Sequence, residues 1–281
     1  MVSLPSPRRA ISRLLAALVN RGQHFTPAKA LDPPAVRALD ALRTVGVAQL
    51  PPLAADAQLR RMFDYFQSRP VVGPDGRSGA LEDLPAGTPA AAYDLETVVT
   101  CPGLLDIVNA PQVLQIASAY IGCKPTLSSL GVRWSFPAAE SRAHFQNFHR
   151  DIDDWRFLKL FIYLTDVDEH SGPHCYVRTS HRRGFVWRAH DYPPNEVEAA
   201  FGRDKLETVV GPRGTTFIAD TLGVHRANAP RRAPRLLLQA QYSILPVFAF
   251  RYAPVPAAAA AAVDAYVNRL LIEPLQAPLG F

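Results

Sequence analysis

His149, Arg150 and Asp151 form an H-x-D triplet. A further histidine, His225, stands 74 positions after Asp151, and an arginine, Arg235, stands ten beyond that. Two neutral imidazoles and one carboxylate gathered on one side of a divalent metal leave three coordination positions open, the arrangement of non-haem Fe(II) oxygenases. Open positions let a metal hold a co-substrate and oxygen at the same time. A guanidinium adds a planar fork of donors that binds a carboxylate through two parallel hydrogen bonds.

H-x-D alone is a weak signal, and its surroundings strengthen it. The triplet precedes FLKLFIYLTDV (157–167), whose alternation puts Phe157, Lys159, Phe161 and Tyr163 on one face and Leu158, Leu160, Ile162 and Leu164 on the other. His149 and Asp151, two apart, point the same way in an extended segment. His225 follows the run TTFIAD and a short turn. TLSSLGVRWSF, HCYVRTS, LETVVG and RLLLQAQYSIL read as further strands between Gly, Pro and Asp turns. Before them, residues 34–46, 57–68 and 104–121 carry helical spacing, the last broken or kinked at Pro111. Residues 70–90 read as a long surface loop. Residues 256–273, opening on Pro256 and running through alanines, read as a C-terminal helix packed on the outside. Helices first and then many short strands indicate an α+β plan with a β-sandwich or barrel core.

The 281 residues are 48% hydrophobic and 20% charged, enough for a sizeable core in one elaborated domain or two. Nothing in the composition suggests disorder, collagen or repeats. The net charge of +5 is read as a solvated basic face, and no nucleic-acid motif accompanies it. Cys101, Cys123 and Cys175 are odd in number and far apart, so buried thiols in a reducing, cytoplasmic compartment are expected. Residues 8–22 are basic and partly apolar. They are too short to span a bilayer and read as a packing helix, with peripheral membrane contact as the alternative.

The stretches 148–183 and 215–243 resemble the phytanoyl-CoA dioxygenase family of Fe(II)/2-oxoglutarate oxygenases, a likeness running from about 126 to 245. It implies a double-stranded β-helix (a jelly-roll, cupin-like core) flanked by α-helices. The helical part lies at about 1–122, the core at about 126–250, all in a single domain. It implies Fe(II), 2-oxoglutarate and O2, with His149, Asp151 and His225 as metal ligands and Arg235 holding the distal carboxylate of 2-oxoglutarate. The implied reaction hydroxylates an unactivated C–H of a small molecule and releases succinate and CO2. With Asp151 in place, no ligand position is vacated for halide. One departure is Thr179, where the family often has Gly before the Ser-His pair.

Quieter roles exist for each residue: surface histidines, a turn aspartate, an exposed ion-pairing arginine. Arg231 and Arg232 rival Arg235, but only Arg235 starts an apolar strand. Lys159, in the middle of an apolar strand, is expected to reach 2-oxoglutarate or a nearby acid, or else to face solvent from an edge strand. Trp155 covers the pocket mouth or packs. Phe161, Arg133 and Gln146 are candidates for the substrate side. His170 and His174 imitate a zinc pair at i, i+4, but their turn setting offers no third ligand. A non-catalytic binding protein on the same barrel would be marked by loss of a ligand or of the arginine, and all four are intact. A cupin-like metal isomerase or hydrolase would not need Arg235. The loops 70–90 and 184–205 are expected to shape specificity.

Overall fold

The computed structural model describes residues 7–26, 31–137, 147–182, 191–258 and 262–274. Gln146 and residues 183–190 lie outside these. The first helix, α1 (Pro7–Gly22), buries Ser12 and Ala16 and packs Leu15 and Val19 on the core. Ile11, Leu14 and Leu18 line its exposed side. Among the described residues no helix is long and apolar enough to cross a membrane.

Helix α2 (Pro33–Thr44) starts where Asp32 accepts a hydrogen bond from the Ala35 N–H and Pro33 supplies a ready-made first turn. Strand β1 (Val47–Leu50) and helix α3 (Asp56–Gln67) follow. The expected loop at 70–90 is not structureless. It contains β2 (Val71–Val72) and β3 (Ser78–Gly79), a two-residue ribbon that extends the main sheet through β4 (Ala90–Ala92). Pairs this short carry no readable periodicity. Helix α4 (Leu95–Val99) leads to the 104–121 segment, which splits at the proline into α5 (Leu104–Val108) and α6 (Pro111–Ile121).

The β region begins with β5 (Thr126–Ser135), β6 (Phe157–Tyr163) and β7 (His174–Val177). Helix α7 (Pro194–Phe201) precedes β8 (Leu206–Val209), β9 (Thr216–Ala219), β10 (His225–Ala227) and β11 (Arg235–Ser243). Two antiparallel sheets result, an eight-stranded one ordered β1-β9-β6-β11-β5-β4-β2-β3 and a three-stranded one ordered β10-β7-β8. Together with the flanking helices they make the α+β double-stranded β-helix.

The larger sheet has two unlike faces. Leu158, Leu160, Ile162 and Leu164 of the β6 segment, with Leu236, Leu238 and Tyr242 of β11, pack on α2, α3 and α6 in the main hydrophobic core. The alternate residues Phe161, Tyr163, Phe217, Ala219 and Leu237 turn inward and meet Tyr176 and Val209 of the small sheet.

The C-terminal helix predicted over 256–273 is not formed. Instead β12 (Val255–Ala257) pairs in parallel with β13 (Ile272–Pro274), and only α8 (Ala265–Asn268) is helical between them. Residues 259–261 lie outside the described set. Alanine favours helix locally, but docking the flanking apolar residues Ala257, Val267, Leu271 and Ile272 on the core wins. All three cysteines are buried and free.

Candidate metal centre

The main chain brings the distant histidines together. His149 and His225 form an isolated antiparallel bridge, with each N–H donating to the other's carbonyl at 2.9 and 3.0 Å. The Asp151 N–H donates to the Thr221 carbonyl at 2.9 Å, which fixes the third residue against the same turn. Arg150, merely the variable middle of H-x-D in sequence, straps the segment down. Its guanidinium donates to the carbonyls of Ser180 (3.0 Å) and Leu222 (2.7 Å).

One ligand atom each from His149, Asp151 and His225 lies within 4.8 Å of the others, so the three can hold one ion. Among the described residues no other group of three has this property. The rings of His149 and His225 stand 4.4 Å apart, and His225 Nε2 is 3.5 Å from an Asp151 oxygen. His225 Nδ1–H donates to the Gly223 carbonyl at 2.9 Å, which leaves Nε2 with its lone pair toward the centre. A glycine is required at 223. A Cβ there would lie 1.9 Å from the Tyr176 hydroxyl, which is fixed by donating to the Asp220 carbonyl.

Electrostatics favour the ligand forms. Burial pushes the His225 imidazole down to about 4 against the pull of Asp151, so it is neutral at pH 7. Burial pushes the Asp151 carboxyl up, but His225 and Lys159 outweigh this and hold it well below the usual carboxylate range. The ammonium of Lys159 lies 2.7 Å from Asp151 and 3.3 Å from Asp153. Strand β6 is central, between β9 and β11, so the edge-strand alternative does not apply. Lys159 faces inward and reaches a nearby acid.

Arg235 is 1% exposed on the inner face of β11, while Arg231 and Arg232 remain exposed. Its guanidinium donates to the Gly172 carbonyl and to Ser135 Oγ, and its Nε has no partner. Among the described residues it meets no carboxylate. Burial without a counter-ion pushes its pKa down to about 10. A buried guanidinium in this state has a fork of donors to offer a carboxylate.

One expectation is corrected. Trp155 packs on the helix-facing core, its carbonyl accepting from Arg8 Nε at 2.8 Å, rather than covering a pocket mouth. His170 and His174 do not pair. His170 lies in the turn, held by Asp168, whereas His174 is buried inside the barrel, its ring 5.4 Å from that of His225 and 4.9 Å from that of Phe161. The i, i+4 arithmetic belongs to helices. Strand alternation, which puts His174 on the same face as Tyr176, was the usable signal. Phe161 lines the interior between His174 and Phe217. Arg133 also faces inward, on the side of β5 opposite Val132 and Trp134.

No family model matches the chain, and no curated protein matches it. Solved structures do. HygX from Streptomyces hygroscopicus, with nickel and 2-oxoglutarate bound, is 16% identical at a TM-score of 0.55, over 80% of this chain and 91% of that one. The chain has the same fold. The epimerase SnoN from nogalamycin biosynthesis, in complex with Fe3+, alpha-ketoglutarate and nogalamycin RO, is 18% identical at a TM-score of 0.53, over 74% and 82%. The carbocyclase SnoK of the same biosynthesis is 18% identical at 0.51, over 78% and 87%. At these identities the likeness establishes the architecture, and the chemistry must be argued from the residues.

Proposed function

We propose that the protein is an Fe(II)- and 2-oxoglutarate-dependent oxygenase acting on an unactivated C–H of a small molecule, with hydroxylation as its outcome. The observation that carries this reading is the pairing of a two-histidine, one-carboxylate centre with a buried arginine that lacks a carboxylate. A metal isomerase or hydrolase on the same barrel needs the first feature and has no use for the second. HygX and SnoN, which share the fold, hold a metal and 2-oxoglutarate in their crystals. The sequence resemblance to the phytanoyl-CoA dioxygenase family points the same way.

In this reading His149, Asp151 and His225 ligate the metal. Gly223 fixes the His225 tautomer, and Arg150 holds the loop that carries two of the three ligands. Arg235 orients 2-oxoglutarate by its distal carboxylate, with Ser135 beside it. Iron, when bound, supplies oxygen activation coupled to conversion of 2-oxoglutarate into succinate and CO2. The protein's own contribution is a three-ligand set that leaves positions free, and aromatic walls (Phe161, Phe217) that keep water out. Asp151 occupies the position that a halide would need, so hydroxylation is favoured over halogenation. The presence of an epimerase and a carbocyclase on this fold makes substrate placement the determinant of outcome.

Anaerobic addition of Fe(II) and then 2-oxoglutarate to the apo-protein tests the reading. We expect a visible charge-transfer band that requires both additions and is absent in His225→Ala and Asp151→Ala. A folded wild-type protein that gives no band overturns it.

A further inference from the structure

The inner face of the main sheet is hollow on one side. Along β5, Leu130, Val132 and Trp134 belong to the helix-facing core, so Gly131, Arg133 and Ser135 face inward. A Cβ added at Gly131 would meet no atom of the described residues within 4 Å, and Gly131 has no unusual backbone angle to explain a glycine there. Opposite it on β11 stands Gln239, half-buried, whose amide makes no hydrogen bond among the described residues. Arg133 lies between Ala92 of β4 and Leu237 of β11 in register.

Arg133 is exposed to solvent, yet the surrounding protein lowers its pKa, against the pull of Asp151, and its charge is felt by Arg235. These facts agree for a partly solvated side chain on the inner face of β5, close enough to Asp151 and Arg235 for their charges to act on one another. Among the described residues Arg133 has no hydrogen bond and no ion pair. The charges of the site explain what it lacks. With a divalent metal and the 2-oxoglutarate dianion in place, Arg133, Arg235, Lys159 and the metal face Asp151, Asp153 and the dianion. One positive charge is left over, and Arg235 has already been matched. Arg133 is the cation without a partner.

We propose, resting on the function assigned above, that this hollow is the substrate subsite and that Arg133, with Gln239, binds an anionic oxygen group of the substrate, a carboxylate or a phosphate. The substrate class is thus an organic anion. Gly131 keeps the hollow open for the group that follows.

Binding to protein loaded with Ni(II) and 2-oxoglutarate tests this without turnover, the probes being phenylacetate, phenyl phosphate and the neutral phenylacetamide. We expect at least one anion to bind about tenfold more tightly than the amide, as a charge-assisted hydrogen bond implies. Arg133→Gln should abolish that preference while leaving Ni(II) and 2-oxoglutarate affinities within twofold. Gly131→Leu should weaken all three probes. No preference for an anion in the wild type, binding of none of the probes, or a preference that survives Arg133→Gln overturns the inference. So does a loss of 2-oxoglutarate affinity in Arg133→Gln, which would give the arginine to the co-substrate. Failure of the wild type to bind Ni(II) and 2-oxoglutarate together would instead overturn the function itself.

Discussion

The two faces of the main sheet are made by the same strands and obey different rules. The helix-facing side is aliphatic and filled, with Leu158, Leu160, Leu236 and Leu238 showing no exposure. The inward side carries Lys159, Arg133, Arg235, Gln239 and Gln241, and His174 faces it from the small sheet. Among the described residues, Arg235 Nε and Gln241 Oε1 on this side, and His174 Nε2 facing it, have no hydrogen-bond partner. Buried polar groups are normally satisfied, so these exceptions set the inward side apart from the filled one. The difference teaches that stability and chemistry are divided across a single layer of backbone. One side holds the strands in place so that the other can remain unfinished.

Substitutions can break or sharpen this division. Leu238→Ala on the filled face should cost about 3 kcal/mol of folding stability through the cavity it leaves. It should shift the denaturant midpoint downward and leave metal affinity in the folded fraction unchanged. Arg235→Leu on the unfinished face should behave oppositely. The affinity for 2-oxoglutarate in the metal-loaded protein should fall roughly a hundredfold, while thermal stability holds or rises because an unpaired buried charge is gone. Equal stability losses in both variants would show that the two faces are not separable. Thr179→Gly tests a point on neither face. Thr179 has φ +67°, left-handed backbone that strains a β-branched residue. Relief should add about 1 kcal/mol of stability, seen as a higher melting temperature with no change in metal binding.

The alternation of 157–164 was readable because both faces are apolar apart from one lysine, and that lysine marked the inward side. The triad was readable because H-x-D abuts so clear a strand. Thr179 stood out in the sequence as a departure, and it carries one of the two positive φ values among the described non-glycine residues. Other features had no local signature. Arg150 acts through carbonyls of residues 180 and 222, contacts that no spacing encodes. Trp155, four residues past Asp151, follows the chain as it turns toward the helices. The alanine run after Pro256 advertises helix, but a parallel pairing with residues 272–274, settled by burial of distant side chains, overrides it. Arg133 is a candidate from the sequence, but that neither its side chain nor that of Gln239 has a hydrogen-bond partner among the described residues is a property of the folded sheet that no spacing encodes.

Lys159 has one more consequence. Its ammonium, 2.7 Å from Asp151, is a counter-ion built into the wall. A ligand carboxylate stripped of its ion is thereby never left bare in a low-dielectric interior, and the two histidines remain tied through their own backbones. If the proposed metal site is right, chelation should therefore leave the melting temperature nearly unchanged, and added metal should rebind to the chelated protein without a refolding step.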